Sequence, residues 1–253
     1  MANYPKAAKY PDLDAVYAQC SGPGGLKLAE FLGDKMQLQP GQRVLDVGMN
    51  RGYQTCFLAK EYEVSMVGID PWNDRDDKRP HIDHLMDNAM TWCVQDAVLG
   101  VQTGVPDSKL PSGVFDAVYS TTALEMVRGI EGEQAYQACL MEIYRLLRPG
   151  GVFGLAEPMH LDVPIPKEIV SQVTKGDHPW TKFFVTIGET RSAVKAAGFQ
   201  IVEAAYAPDA YIWWLEYAQY DPFCKAGMGD ERYIIRTDRG RWLSLGYVIT
   251  RKP

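Results

Sequence analysis

The chain has 253 residues, 46% of them hydrophobic and 23% charged, and a net charge of -6. That suits one α/β domain with insertions, with enough apolar content to rule out global disorder. The acidic balance leaves no footprint for nucleic acid or an anionic membrane, and no apolar run reaches membrane-spanning length. Residues 1–10 lack the apolar core of a signal peptide, so the expectation is a cytoplasmic protein with neither nucleic-acid nor membrane partners, a monomer or homodimer.

From residue 41 to about 153, short apolar runs alternate with helical patterns. Arg43–Val47 reads as a buried strand and Tyr53–Glu61 as the helix after it. Val64–Ile69 is a second strand, and His81–Val94 carries helical spacing through Ile82, Leu85, Met86, Ala89 and Met90. Val98–Val101 and Phe115–Ser120 are the third and fourth strands. Gly132–Leu147 is an amphipathic helix, and Val152–Ala156 a fifth strand after the turn Pro149-Gly150-Gly151. Glu189–Ala197 reads as a helix, with strands at Phe199–Ala205 and Trp242–Thr250. Such alternation means a parallel sheet with right-handed crossovers. Two stretches break it: a Pro-rich one from Glu157 to Ile187 and an aromatic one from Ala207 to Arg241. Both are expected to cover the carboxyl edge of the sheet, with residues 1–25 as a further lid. The five cysteines, Cys20, Cys56, Cys93, Cys139 and Cys224, are odd in number and form no CxxC pair. That points to reduced thiols and to no metal site.

Ligands of open α/β sheets bind beyond the carboxyl ends of the strands. The first such end here is Asp46-Val47-Gly48-Met49-Asn50-Arg51-Gly52. Gly48 and Gly52 let backbone approach a ligand, and the next helix offers free N–H groups. The spacing is GxxxG rather than GxGxxG, and Asp46 precedes it by two residues. A carboxylate there repels a pyrophosphate and attracts an ammonium group. Asp70 ends the second strand, where an acid accepts hydrogen bonds from ribose hydroxyls, and Trp72 can lie against a purine. The set asks for an adenosine with an amino-acid tail.

Val44–Gly52 resembles motif I of the class I S-adenosylmethionine-dependent methyltransferases. The resemblance continues at Ile69-Asp70-Pro71-Trp72, at Phe115–Ser120 with Leu124-Glu125, and at Leu146–Gly151. It covers roughly residues 22–156, with Ala196-Ala197-Gly198-Phe199 fitting its tail and Ser21–Leu26 its Pro-Gly-Gly element. It implies one Rossmann-like, doubly wound α/β domain over 1–253. The sheet would have seven strands, mostly parallel with an antiparallel C-terminal strand, and residues 26–156 would form the cofactor-binding core. It also implies S-adenosyl-L-methionine as cofactor. Asp46, Gly48, Asn50 and Gly52 would lie at the methionine end, Asp70 and Pro71 at the ribose, and Trp72, Gly104 and Val105 at the adenine. Thr121 would lie near the sulfonium. Two departures stand out. Met49-Asn50-Arg51 replaces the usual Cys-Gly-Thr, and Met126 stands where many small-molecule members carry a His.

Methyl transfer needs alignment and a dry site, and a base only when the nucleophile must lose a proton. The candidate catalytic residues are Glu157, directly after the fifth strand, and His160. Both are also candidate substrate contacts, with Tyr17, Tyr211 and Trp214. Against these stand plain alternatives: a solvated loop acid, a hydrogen-bonded loop His, and aromatics at helical spacing that pack a core. The leading expectation is an enzyme methylating a small molecule at N, S, O or C. The alternatives are aminocarboxypropyl transfer or cyclisation releasing methylthioadenosine, and a non-catalytic cofactor-binding module.

Overall fold

Val44, Leu45 and Val47 are buried on both faces of the first strand, and the rest of the sheet grows outward from it. The structure is a computed structural model that describes residues 3–176 and 178–253; Met1 and Ala2 of the expected lid and Asp177 of the first expected insertion lie outside the described residues. A 3-10 turn at Ala7–Lys9 precedes α1 (Leu13–Gln19) and α2 (Gly25–Met36). Then come β1 (Arg43–Val47), α3 (Tyr53–Tyr62), β2 (Ser65–Ile69), α4 (His81–Thr91), β3 (Val98–Val101) and β4 (Phe115–Thr121). They are followed by α5 (Leu124–Glu131), α6 (Glu133–Leu146), β5 (Leu147–His160), α7 (Val170–Val173) and α8 (Trp180–Phe183). The last part holds α9 (Ile187–Ala196), β6 (Gln200–Tyr206), α10 (Ala210–Tyr220), α11 (Pro222–Lys225), α12 (Glu231–Asp238) and β7 (Leu243–Arg251).

The strand order is β3-β2-β1-β4-β5-β7-β6. β1 to β5 pair in parallel, and β7 is antiparallel to both β5 and β6. The order reverses direction at β1, so the crevice between the ends of β1 and β4 is where a ligand has room. Leu28 and Leu32 of α2, Phe57 and Leu58 of α3 and Leu85 of α4 fill one face of the sheet. Leu124 of α5, Tyr136, Leu140 and Ile143 of α6 and Val194 of α9 fill the other. Each such side chain, fully buried, is worth about 1.5–3 kcal/mol. A third cluster joins Ile169, Trp214 and Ile235 of the segments that interrupt the alternation to Trp242 just before β7.

Several elements differ from the sequence reading: α5 is an additional helix, α4 ends at Thr91 rather than Val94, and β5 starts at Leu147, taking in the expected turn Pro149-Gly150-Gly151. Two further differences have a clear physical cause. The fifth strand continues past Ala156 to His160, because Glu157–His160 pair with Leu243–Gly246 of β7. Pro158 is tolerated inside it. Ala156 directs its carbonyl at Thr122 on the β4 side, so Pro158 faces that same side beyond the end of β4, where no ladder donor is required. α9 begins at Ile187 rather than Glu189, since Thr186 accepts from the Glu189 N–H while the Glu189 side chain accepts from the Thr186 N–H. All five cysteines are free, and only Cys93 is exposed. No helix of the described residues is long and apolar enough to cross a membrane.

Candidate active site

The β1–α3 loop is shaped by its two glycines. Gly48 has φ +78° and donates to the Ile69 carbonyl, and a Cβ on it would lie 2.3 Å from Cβ of Ala123. Gly52 has φ +73° and caps α3, and a Cβ there would meet Leu85 at 2.2 Å. No other residue type fits either position without moving a neighbour. Between them Met49 turns inward over Gly68 of β2, filling space that the missing Cβ of Gly68 leaves. Asn50 adopts φ +52°, a conformation Asn tolerates better than most residues. Its N–H donates to Asp70 Oδ2 at 3.0 Å. Arg51 points the opposite way. It donates to Asp74 at 2.6 Å, to Asp76 at 3.2 Å and to the Ala18 carbonyl at 2.9 Å, tying the N-terminal segment to the loop after β2. These ties hold the unusual Met49-Asn50-Arg51 sequence in one shape.

Asp70 is buried at the tip of β2. Its Oδ1 accepts the Trp72 N–H at 2.9 Å, and its Oδ2 lies 3.2 Å from Nδ1 of His81. Two carboxylate oxygens carry about four lone-pair sites, so capacity remains for ligand hydroxyls. Trp72 leaves half its surface in solvent, 53% exposed. Asp46 is fully buried and accepts from the Thr55 hydroxyl at 2.6 Å. Burial pushes its carboxyl up to about 7, the Thr55 bond pulls it back, and the nearby Asp70 charge raises it further. Across the crevice, Gln54 accepts from Thr121 at 2.8 Å and from Tyr119 at 3.1 Å, and donates to the Gly25 carbonyl.

These residues border a cavity of about 900 Å³. Gly48, Asn50, Asp70, Pro71, Trp72, Gly104, Val105 and Thr121 line it, as do Tyr17 and Trp214. Asp46 and Gly52 sit behind the loop they support and do not reach the wall. Nor do Glu157, His160 and Tyr211. Glu157 points from β5 into the α6 side, where it accepts from Tyr136 at 3.1 Å and lies 3.7 Å from Arg128. His160 stacks on Trp242 with ring centroids 5.0 Å apart, and its Nδ1 bonds the Leu161 carbonyl. Tyr211 packs beside Gly240. The cavity's far wall is built instead from Trp180, Phe184, Trp214, Tyr217, Phe223 and Glu231, with Glu125 and Met126 at the start of α5. Trp180 stacks on Trp214 at 5.9 Å and Tyr217 meets Trp214 edge-on at 5.8 Å. Sequence reasoning passed over Gln54, Phe223 and Glu231, none of which carries a local signal. Asp74, Asp77 and His84 bring ligand atoms within 4.8 Å of one another, but Asp74 is already engaged by Arg51 and by the N–H groups of Asp76 and Asp77.

The chain is similar to known proteins in sequence and in fold. The chain is 28% identical over 196 residues, 73% of its length, to the sterol 24-C-methyltransferase of Aspergillus fumigatus. The match spans 47% of that relative, about half of its length. Its fold is that of the (4+2)-cyclase SpnF, with a TM-score of 0.72, 17% identity and 99% and 93% of the two chains covered. It is also that of the geranyl diphosphate C-methyltransferase from Streptomyces coelicolor A3(2), with a TM-score of 0.68, 16% identity and 94% and 87% covered. A family model described as a methyltransferase domain matches residues 23–204, and the chain belongs to that family.

Proposed function

We propose that the protein is an S-adenosyl-L-methionine-dependent methyltransferase acting on a small molecule. The observation that carries this reading is the joint placement of the glycine loop, Asp70 and Trp72 on one cavity wall, facing an aromatic chamber on the other. The donor set suits the cofactor: an acid with spare lone pairs for ribose hydroxyls, an exposed indole for adenine, and Asp46 behind the loop as a counter-charge for an ammonium. When bound, the cofactor supplies an electrophilic methyl group on a sulfonium.

The chain's own residues hold, align and dry the reactants. Asp70, kept in place by the N–H groups of Asn50 and Trp72, orients the ribose. Gly104 and Val105 flank the adenine. Thr121, fixed through Gln54, sets the floor at the end of β4. Residues 1–25, 157–187 and 207–241 cover the site: Tyr17 stacks on Tyr220 of α10, and Trp180 on Trp214, so all three segments meet over the cavity. Glu157 acts at one remove, through Tyr136 and Arg128, and His160 holds the base of the cover against Trp242.

Calorimetry with S-adenosylhomocysteine tests the cofactor; binding in the micromolar range is expected, and its absence ends the proposal. The fold is shared with a cyclase, so the fold alone does not choose the reaction. Mass spectrometry of the cofactor-derived product does. S-adenosylhomocysteine supports methyl transfer, and methylthioadenosine replaces it with aminocarboxypropyl transfer or cyclisation.

A further inference from the structure

The chamber opposite the glycine loop combines aromatic faces with carboxylates. Trp180, Trp214 and Tyr217 present stacked and edge-on rings. Glu125, Asp221 and Glu231 line the same space. Among the described lining residues, the only lysine or arginine side chains are Arg51 and Arg75, both on the cofactor side, and Arg51 is held by Asp74 and Asp76. Two of the acids carry orphaned atoms: Oε2 of Glu125 and Oε2 of Glu231 are buried without a hydrogen-bond partner. Glu125 as a whole is only 4% exposed. A buried carboxylate without a partner is costly, and a cation in the chamber offsets its charge.

An anionic acceptor meets only like charge here. An alkene brings no charge to offset the acids. An ammonium brings a positive charge to both the carboxylates and the ring faces. Resting on the methyltransferase reading above, we infer that the acceptor is an apolar amine, held by Trp180, Trp214 and Tyr217 and by the carboxylates of Glu125 and Glu231. The amine arrives protonated, and its N–H proton passes to the Glu125 carboxylate. The freed nitrogen lone pair forms the N–C bond as the C–S bond breaks, its electron pair stays on sulfur, and the positive charge passes to nitrogen. Burial and the nearby Glu157 raise the proton affinity of Glu125, with Arg128 acting in the opposite sense. A base for an ammonium needs that shift.

The test uses the full chain with S-adenosylhomocysteine present and follows quenching of tryptophan fluorescence by three probes of similar size. These are benzyltrimethylammonium, the neutral 2-methyl-1-phenyl-2-propanol, and benzylsulfonate. The cation is expected to bind about tenfold or more tighter than either other probe. Glu231→Gln and Trp214→Leu should each reduce that preference to roughly threefold or less, with S-adenosylhomocysteine affinity within about twofold of the parent. Alcohol or sulfonate binding as tightly as the cation overturns the inference, as does no cation binding by a parent that binds S-adenosylhomocysteine. Loss of S-adenosylhomocysteine binding in the parent would instead sink the methyltransferase reading itself.

Discussion

Asp46→Asn separates what the site needs from what the fold prefers. Asp46 is fully buried, and its one hydrogen bond, from Thr55, can be kept by an Asn carbonyl. Its carboxyl is raised from 3.8 to about 7 in the folded protein, chiefly by burial. A raised acid binds its proton more tightly when folded, so its stabilising contribution is complete below about pH 4 and is lost as pH rises to about 7. Above that window the folded protein carries an ionised Asp46 at a cost of up to about 4 kcal/mol, since each pKa unit is worth about 1.4 kcal/mol. Asn removes the cost. Calorimetric unfolding at pH 5 and pH 8 should show the variant melting higher at pH 8 by several degrees, at about 2–4 °C per kcal/mol for this size, with a smaller gap at pH 5. Titration with S-adenosylhomocysteine should show the opposite sign, an affinity about tenfold lower, because the counter-charge to the ammonium is gone. A gap of equal size at both pH values, or a variant less stable at pH 8, would refute the reasoning.

Asp70→Ala removes the acceptor for the Asn50 and Trp72 N–H groups along with the proposed ribose contact. S-adenosylhomocysteine affinity should fall about tenfold or more by calorimetry, and an unchanged value would reject the assignment. Gly52→Ala places a Cβ 2.2 Å from Leu85 at φ +73°, so a loss of roughly 2–4 kcal/mol is expected in urea unfolding. Arg51→Ala unties the Ala18 carbonyl from the loop after β2 and strands the buried Asp74. Limited proteolysis should then cut faster before residue 25. His160→Ala removes a ring stacked on Trp242 outside the cavity, so melting should drop while S-adenosylhomocysteine affinity stays within about twofold.

Much of the fold is legible locally. Arg43–Val47 is a strand in the structure with the bounds that its apolar run suggests, because a central parallel strand is buried on both faces and reads as an unbroken apolar stretch. Val98–Val101 also keeps its bounds, although it is the edge strand and Leu99 is exposed. The start of α9 is also written locally, in Thr186 and Glu189, but a reading by apolar periodicity alone begins two residues late. The end of β5 is not local. Pro158 reads as a stop signal, and only the partner strand β7 and the free edge beyond β4 make it a strand residue.

The sequence by itself determined the order of the strands along the chain, the loop glycines Gly48 and Gly52 and the acids at the ends of β1 and β2, since each depends on a few neighbouring residues. The tertiary structure alone decided which side chains face the cavity. Side chains alternate across a strand, so Glu157 turns toward α6 while its neighbour Pro158 lines the cavity. The aromatic run on α10 divides between Trp213 in the core and Trp214 on the cavity wall, and Glu231 joins that wall from α12. Helix periodicity marks which residues share a face, but the packing of α10 against α8 and α12 selects the face that meets the ligand.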